Sequence, residues 1–218
     1  MNRSADIQRV KSSLGAQVRD SHLIPTLIRL LSAGEPVSVE QLSSRSGLTL
    51  AEVSDELAEH PSLERDPEGA IVGFGMTLRP TQHKFSFRGR TVYGWCATDT
   101  LMFPILLNEP GLVESVCPVT GGVIRLSVTP DGVESVDPTG TVVSEVRPTE
   151  RVDDIRGDIC SVGLFFSSRE AAAPWLEQYP QGQLHTVEYD FEIHRQAIKD
   201  LGWLSDAELT PEKGAESS

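Results

Sequence analysis

The sequence predicts an α+β protein, helical in its first part and built on antiparallel strands in its second. Three observations predict it. Apolar residues recur at helical spacing as far as His60; from about Arg79 the period drops to two; and strong turn sequences separate the short strands that follow. Those turns are Gly121-Gly122, Pro130-Asp131-Gly132 and Pro138-Thr139-Gly140.

The elements follow in order. Ile7, Val10, Leu14 and Val18 mark a weak helix within the first twenty residues. Leu23, Leu27, Leu30 and Leu31 stripe a stronger one from about Ser21 to Ser32, with Gly34 as its stop. Ser38-Val39-Glu40-Gln41 and Thr49-Leu50-Ala51-Glu52 each read as a capping box, in which the hydroxyl and the side chain three residues on satisfy one another's backbone N–H groups. The second opens a helix to about His60, and Ser46-Gly47-Leu48 turns the chain between the two. After Pro61, extended stretches flank Asp66-Pro67-Glu68-Gly69, a hairpin turn by its Pro and Gly. Helix, turn, helix and β-ribbon make the plan of a winged helix.

Beyond Arg79, Lys84–Arg88 and Arg90–Trp95 form a hairpin about Arg88-Gly89, and a helix runs from Ala97 to about Leu107, where Pro104 is expected to kink it. Strands follow at Leu112–Cys117, Val123–Val128, Val133–Val136 and Val142–Val146, read as one meander. Ile159–Phe166 reads as a further strand, Ser168 to Tyr179 and Phe191 to Leu201 as helices. The expected organisation is a winged-helix-like helical domain over 1–80, packed on a domain of antiparallel strands with flanking helices over 81–204. Residues 205–218 read as a frayed polar tail.

Charge narrows the function. Residues 1–90 balance 11 Lys and Arg against 11 Asp and Glu; residues 91–218 hold 8 against 21, the source of the net charge of −13. Such a surface repels phosphate backbones and anionic lipid, so nucleic acid and membrane are poor partners. The helix that would enter a DNA groove carries Glu52, Asp55, Glu56 and Glu59 and no cation, whereas a recognition helix needs donors for guanine and charge for phosphate. No apolar run reaches the roughly eighteen residues of a membrane span, and the first residues lack the apolar core of a secretory signal. The expected location is the cytoplasm. Three cysteines, Cys96, Cys117 and Cys160, cannot all pair, and a reducing compartment leaves them as free thiols, metal ligands or catalytic groups.

The chemistry concentrates around Cys96. A strand ends at Trp95 and a helix begins at once, so Cys96 stands at a helix N-terminus, where unpaired N–H groups favour thiolate and lower the thiol pKa from about 8.5. Asp99 follows three residues on, its carboxyl group on the same helix face. The plain alternative is structural: an Asp in a first helical turn stabilises it, and a lone Cys among aromatics is a small core residue. Alternation over 159–166 points Cys160 into an apolar layer with Val162, Leu164 and Phe166, and Ser161 away from it. Two thiols and a carboxyl group in a dry pocket suit a soft, thiophilic metal. Cys117, before Pro118-Val119-Thr120-Gly121, resembles half a zinc knuckle without its second Cys and reads as structural. The five histidines make no ligand pair. Phosphate-loop, nucleophile-elbow and Rossmann signatures are absent.

These residues together carry a resemblance. The run Tyr93-Gly94-Trp95-Cys96-Ala97-Thr98-Asp99-Thr100-Leu101-Met102-Phe103-Pro104 is similar to the core of the organomercurial (alkylmercury) lyases. So are Val116-Cys117-Pro118-Val119-Thr120-Gly121, Asp154-Ile155-Arg156-Gly157-Asp158-Ile159-Cys160 with Phe165-Phe166, Pro36-Val37-Ser38 and Gly73-Phe74-Gly75-Met76-Thr77-Leu78. The likeness spans roughly residues 20 to 200, and all three cysteines fall on cysteine positions of the family.

The resemblance implies cleavage of the carbon–mercury bond by protonolysis, giving the hydrocarbon and Hg(II), in mercury detoxification. Cys96 and Cys160 would hold mercury as thiolates, Asp99 would relay protons and touch the metal, and Cys117 would be structural. No separate cofactor is implied, since mercury is substrate and product. External thiols would sustain turnover, and small thiols or a mercuric reductase would accept Hg(II). The family's winged helix covers the site, in keeping with the acidic helix. Ser161 departs from relatives that carry a further Cys there, which removes one thiol from the transfer route. Against the lyase stand two other readings, a heavy-metal-responsive regulator and a zinc protein. The acidic helix counts against the first, and the missing fourth ligand against the second.

Overall fold

The structure, a computed structural model, describes residues 2–18 and 23–204. The expected tail at 205–218 lies outside the described residues, as do the residues around Ser21. Helix α1 (Arg3–Val18) is followed by α2 (Leu23–Leu31), whose Leu23, Ile24, Leu27, Ile28 and Leu31 are all buried. Helices α3 (Val39–Ser46) and α4 (Leu50–Ala58) both open on the expected capping boxes. Ser38 accepts from Gln41 N and Thr49 from Glu52 N, and each partner side chain reaches back to the cap. Gly47, at φ 76°, closes α3 in the left-handed region that favours glycine.

The ribbon is β1 (Glu64–Arg65) with β2 (Ile71–Phe74), and β3 (Met76–Thr77) pairs back onto β2. The hairpin comprises β4 (His83–Phe87) and β5 (Arg90–Gly94), turned by Arg88 and Gly89 at φ 45° and 72°. After α5 (Ala97–Leu107) come β6 (Gly111–Val116), β7 (Val123–Val128) and β8 (Val133–Asp137). These strands form one antiparallel sheet in the order β1-β2-β3-β5-β4-β6-β7-β8. The ribbon is thus continuous with the sheet of the second part. Alternation sets the faces: Val113, Ile124, Leu126 and Val128 are buried while Leu112, Glu114 and Arg125 face out.

Four expectations fail here. The meander does not continue into β9 (Val142–Glu145), whose residues are all buried. It forms a second sheet, β10-β9-β11, with β10 (Phe165–Phe166) and β11 (Gln183–Thr186). Strand β11 escapes sequence reading because its pairing is non-local and Gln183-Leu184-His185-Thr186 has no strong apolar alternation. Residues 159–166 are not one strand. A short helix α6 (Ile155–Asp158) runs into a 3₁₀ turn at Cys160–Val162, and only Phe165 and Phe166 are extended. Helix α7 (Ala173–Gln178) is shorter than expected, and α8 (Val187–Asp200) begins earlier, capped by Thr186.

Helix α5 is buried on nearly every side, runs through Pro104, and packs against β5 and α8; an all-round apolar helix belongs in a core. Helix α1 packs along α8, from Asp6 on Tyr189 to Lys11 on Asp200. No described helix is long and apolar enough to cross a membrane.

Candidate active site

Cys96 is the N-cap of α5, and the cap is a capping box with sulfur in place of a hydroxyl. Cys96 Sγ accepts from Asp99 N at 3.4 Å, and Asp99 Oδ2 accepts from Cys96 N at 2.9 Å. The structural and chemical readings of Cys-x-x-Asp therefore coincide, because the bonds that start the helix also fix the carboxyl group beside the thiol. Gly94 makes this possible. A Cβ there would lie 2.8 Å from the Cys96 carbonyl oxygen and 3.1 Å from Asp99 Cβ.

Cys160 arrives from the other side on its 3₁₀ turn. Ala97 N donates to Gly163 O at 2.9 Å, joining the two sulfur-bearing segments backbone to backbone. Ser144 Oγ and Trp175 Nε1 both donate to Val162 O, at 2.9 and 3.0 Å, and Leu164 N donates to Ser144 Oγ at 2.9 Å. Side chains thus satisfy backbone groups that a strand would have paired with a neighbour, which is why the turn replaces the expected strand. The alternation argument is right for Cys160, which is buried, and Ser161, which is exposed, but not for the rest of the segment: Gly163 is buried while Val162 and Leu164 are only partly so.

The sulfurs of Cys96 and Cys160 and a carboxylate oxygen of Asp99 lie within 4.8 Å of one another. Exposure of the three residues is 8%, 6% and 6%. They line a cavity of about 130 Å³, walled by apolar side chains that include Val10, Leu14, Ile24, Ile28, Phe74 and Met102. The cover is helical: α1 and α2 supply four of those six. An apolar void of roughly 150 Å³ holds benzene, so the space suits a small alkyl or aryl group.

Electrostatics corrects one expectation. The Cys96 thiol is pushed well above its ordinary value, not lowered. Its hydrogen bond to Cys160, its burial and the nearby Asp99 charge outweigh the backbone N–H at the helix start. For Cys160, the hydrogen bond from Cys96 favours thiolate, but burial and Asp99 prevail and the thiol is also raised. Burial lifts Asp99 to about 6 against the hydrogen bonds it accepts from Cys96 and Trp95. Two thiols and a carboxyl group that exchanges its proton near neutrality share one buried, mainly apolar space.

Cys117 stands apart from both groups of possible metal ligands among the described residues. It is fully buried at the end of β6. Its N–H donates to Gly122 O, its carbonyl accepts from Gly121 N, and Ser167 Oγ donates to its sulfur at 3.5 Å. That is a turn-forming role, and it leaves no three-cysteine zinc site.

Sequence reading missed the other polar wall of the cavity. Glu145, Arg147, Thr98 and His194 line it too, with Asp190 behind them. The Arg147 guanidinium contacts Glu145 and lies 3.4 Å from Asp190; Thr98 Oγ1 donates to Glu145 at 3.3 Å and to Asp190 at 3.2 Å. Glu145, Asp190 and His194 have metal-ligand spacing, but a guanidinium already serves as their cation. One signal was legible: Asp190 and His194 are four apart on one helix, and His194 Nδ1 donates to Asp190 O at 2.9 Å.

Comparison with known proteins places this geometry. The family model described as alkylmercury lyase matches residues 76–198, and that of the helix-turn-helix domain of alkylmercury lyase matches residues 8–75. The chain is 42% identical over 181 residues to the alkylmercury lyase of Staphylococcus epidermidis, covering 83% of each. It is 43% identical over 173 residues to that of Bacillus cereus, covering 79% of each. It is also similar to the crystal structure of the mercury-bound form of MerB2, with a TM-score of 0.75 and 26% identity over 91% of this chain and 98% of that one. The capped sulfur, the second thiol and the carboxyl group thus sit on a chain that belongs to the alkylmercury lyase family.

Proposed function

We propose that this chain cleaves the carbon–mercury bond of alkyl- and arylmercury compounds by protonolysis, with Cys96, Cys160 and Asp99 as its catalytic and mercury-holding residues. One observation carries the reading: two sulfurs and a carboxyl oxygen within 4.8 Å of one another in a buried, mainly apolar cavity.

The protons balance. At pH 7 both thiols hold theirs and Asp99, at about 6, is largely carboxylate. Mercury is soft, so a sulfur–mercury bond displaces the thiol proton despite the raised pKa. Cys96 bonds to R–Hg⁺ and its proton passes to Asp99. Cys160 then bonds to the same mercury, and the second thiolate pushes electron density toward carbon. In the same step Asp99 gives its proton to that carbon from one oxygen and takes the proton of Cys160 on the other, so that R–H leaves as the second sulfur–mercury bond forms. Two thiol protons have become one C–H bond and one carboxyl proton, which is lost to solvent at a pKa near 6. Mercury(II) stays on two sulfurs until small thiols, or a mercuric reductase, remove it. The carboxyl group and both thiols come from the chain, so the reading requires no separate cofactor. Work in the cytoplasm, where small thiols abound, fits the same reading.

The test is release of benzene from phenylmercury in excess small thiol. A regulator or zinc protein releases none. Cys96→Ser should abolish turnover, Asp99→Asn should lower it by about 10²–10⁴, and full activity in Cys160→Ser would overturn the paired-thiol mechanism.

A further inference from the structure

Glu64 has no role in the chemistry above, yet its carboxylate joins the two segments that carry the sulfurs. It lies on β1, only 6% exposed. Oε2 accepts from Thr77 Oγ1 at 2.6 Å, Oε1 accepts from Trp95 Nε1 at 3.1 Å, and the Arg156 guanidinium closes on Oε1. Trp95 directly precedes Cys96. Arg156 sits on α6, four residues before Cys160, and its guanidinium also lies over the Trp95 ring, 5.6 Å from the centroid. The sheet leaves room for this carboxylate: opposite Glu64 stands Gly73, where a Cβ would come within 2.6 Å of Oε2.

The two segments differ in how much else holds them. Cys96 is fixed by its own capping box and by a buried helix. The chain leading into Cys160 has less support. Helix α6 is four residues long with none of them buried; it is tied by its Asp154 cap, by Ile155 N to Ser62 Oγ at 2.9 Å, and by Arg156 to Glu64.

We propose that Glu64 is a positioning residue for the two-sulfur site, setting the place of Cys160 relative to Cys96 by holding Arg156 and Trp95 on one carboxylate. The proposal rests on the paired-thiol reading. A group that orients a metal's ligands without touching the metal typically changes affinity or activity by about 10–100-fold when altered. Glu64→Gln is isosteric and keeps an oxygen for Thr77 or Trp95, but it loses the charge that holds Arg156.

The experiment is competition for Hg(II) between the full chain and a small dithiol. It needs no turnover, so it stands apart from the test of lyase activity. Cys160→Ser sets the one-sulfur baseline. Glu64→Gln should lower Hg(II) retention about tenfold toward that baseline, with circular dichroism unchanged at the assay temperature. Arg156→Gln, altering a half-exposed side chain, should do the same, and it serves alone if the Glu64 variant does not fold. The double variant should be no worse than either single one. In single turnover with phenylmercury, benzene formation should slow while the first capture on Cys96 keeps its rate. A merely structural role would lower the melting temperature and leave Hg(II) retention untouched. Retention within twofold of the parent in the folded variants, or losses that multiply in the double variant, would overturn the proposal.

Discussion

The two polar ends of the cavity are equally buried and handle charge in opposite ways. At the sulfur end Asp99 has two thiols for company, no cation among the described residues pairs with it (Arg156 nearby is held on Glu64), and burial lifts it to about 6. At the other end Glu145 and Asp190 share Arg147, and Thr98 donates to both. Arg147 falls to about 10 because burial disfavours its charge, so it is still a cation at pH 7. His194 is driven down to about 4, chiefly by burial, and is neutral. A buried carboxyl group becomes an exchangeable proton carrier where its counter-charge is withheld, and a fixed structural charge where one is supplied. The cavity holds one of each.

If that contrast is right, Asp99→Asn gives the largest effect. It removes the carboxyl group that relays protons at the sulfur end, and positioned acid–base groups are worth about 10²–10⁴ in rate. Benzene release should fall by that factor while Hg(II) retention by the two sulfurs persists. Removing the counter-charge at the other end comes next. Arg147→Met strands two buried carboxylates at a cost of about 3–5 kcal/mol. At roughly 2–4 °C per kcal/mol for a chain of this size, calorimetry should show a melting temperature lower by about 6–20 °C.

The same Asp99→Asn chain should also be more stable than the parent, with a pH dependence that fixes its cause. Asp99 binds its proton more tightly folded, at about 6, than in the unfolded chain at about 3.8. Between those values the folded state holds more protons, so the parent loses stability as pH rises through the window and levels off above 6. The difference of about two units corresponds to roughly 3 kcal/mol. Denaturant unfolding should therefore show the variant's advantage absent below pH 4 and full by pH 7. An advantage that does not vary with pH would mean that Asp99 is not held protonated by burial.

How much of this was legible follows from how local each feature is. The boxes at Ser38 and Thr49, the start of α5 at Cys96 and the strand Val123–Val128 were read correctly because caps, turns and alternation act within a few residues. The Cys160 segment was misread as a strand because its backbone bonds go to Ser144 and Trp175, which are remote in sequence. The thiol pKa of Cys96 was misjudged for a related reason. The helix start is local, whereas the burial and the Cys160 contact that outweigh it are tertiary. Glu145 and Arg147 gave no signal, since a buried acid and its cation look in sequence like any polar pair beside a strand. The convergence of the two sulfurs lay beyond periodicity and was implied only by resemblance to the family.

Thr98 gives the smallest and most discriminating effect, because it lies between Cys96 and Asp99 in sequence yet turns its hydroxyl to the ionic end. Thr98→Val keeps the shape and removes the donor shared by Glu145 Oε1 and Asp190 Oδ2. A lost hydrogen bond to a buried charged group costs about 1.5–3 kcal/mol. Denaturant unfolding of the variant should show a loss of that size. Thr98→Ser, which restores the hydroxyl, should recover most of the loss. Turnover should stay within a few-fold of the parent, because the bonds between Cys96 and Asp99 do not involve Thr98. A fall in benzene release as deep as that of Asp99→Asn, at a pH where the variant is fully folded, would show that protons cross between the two ends and that the division drawn between them is false.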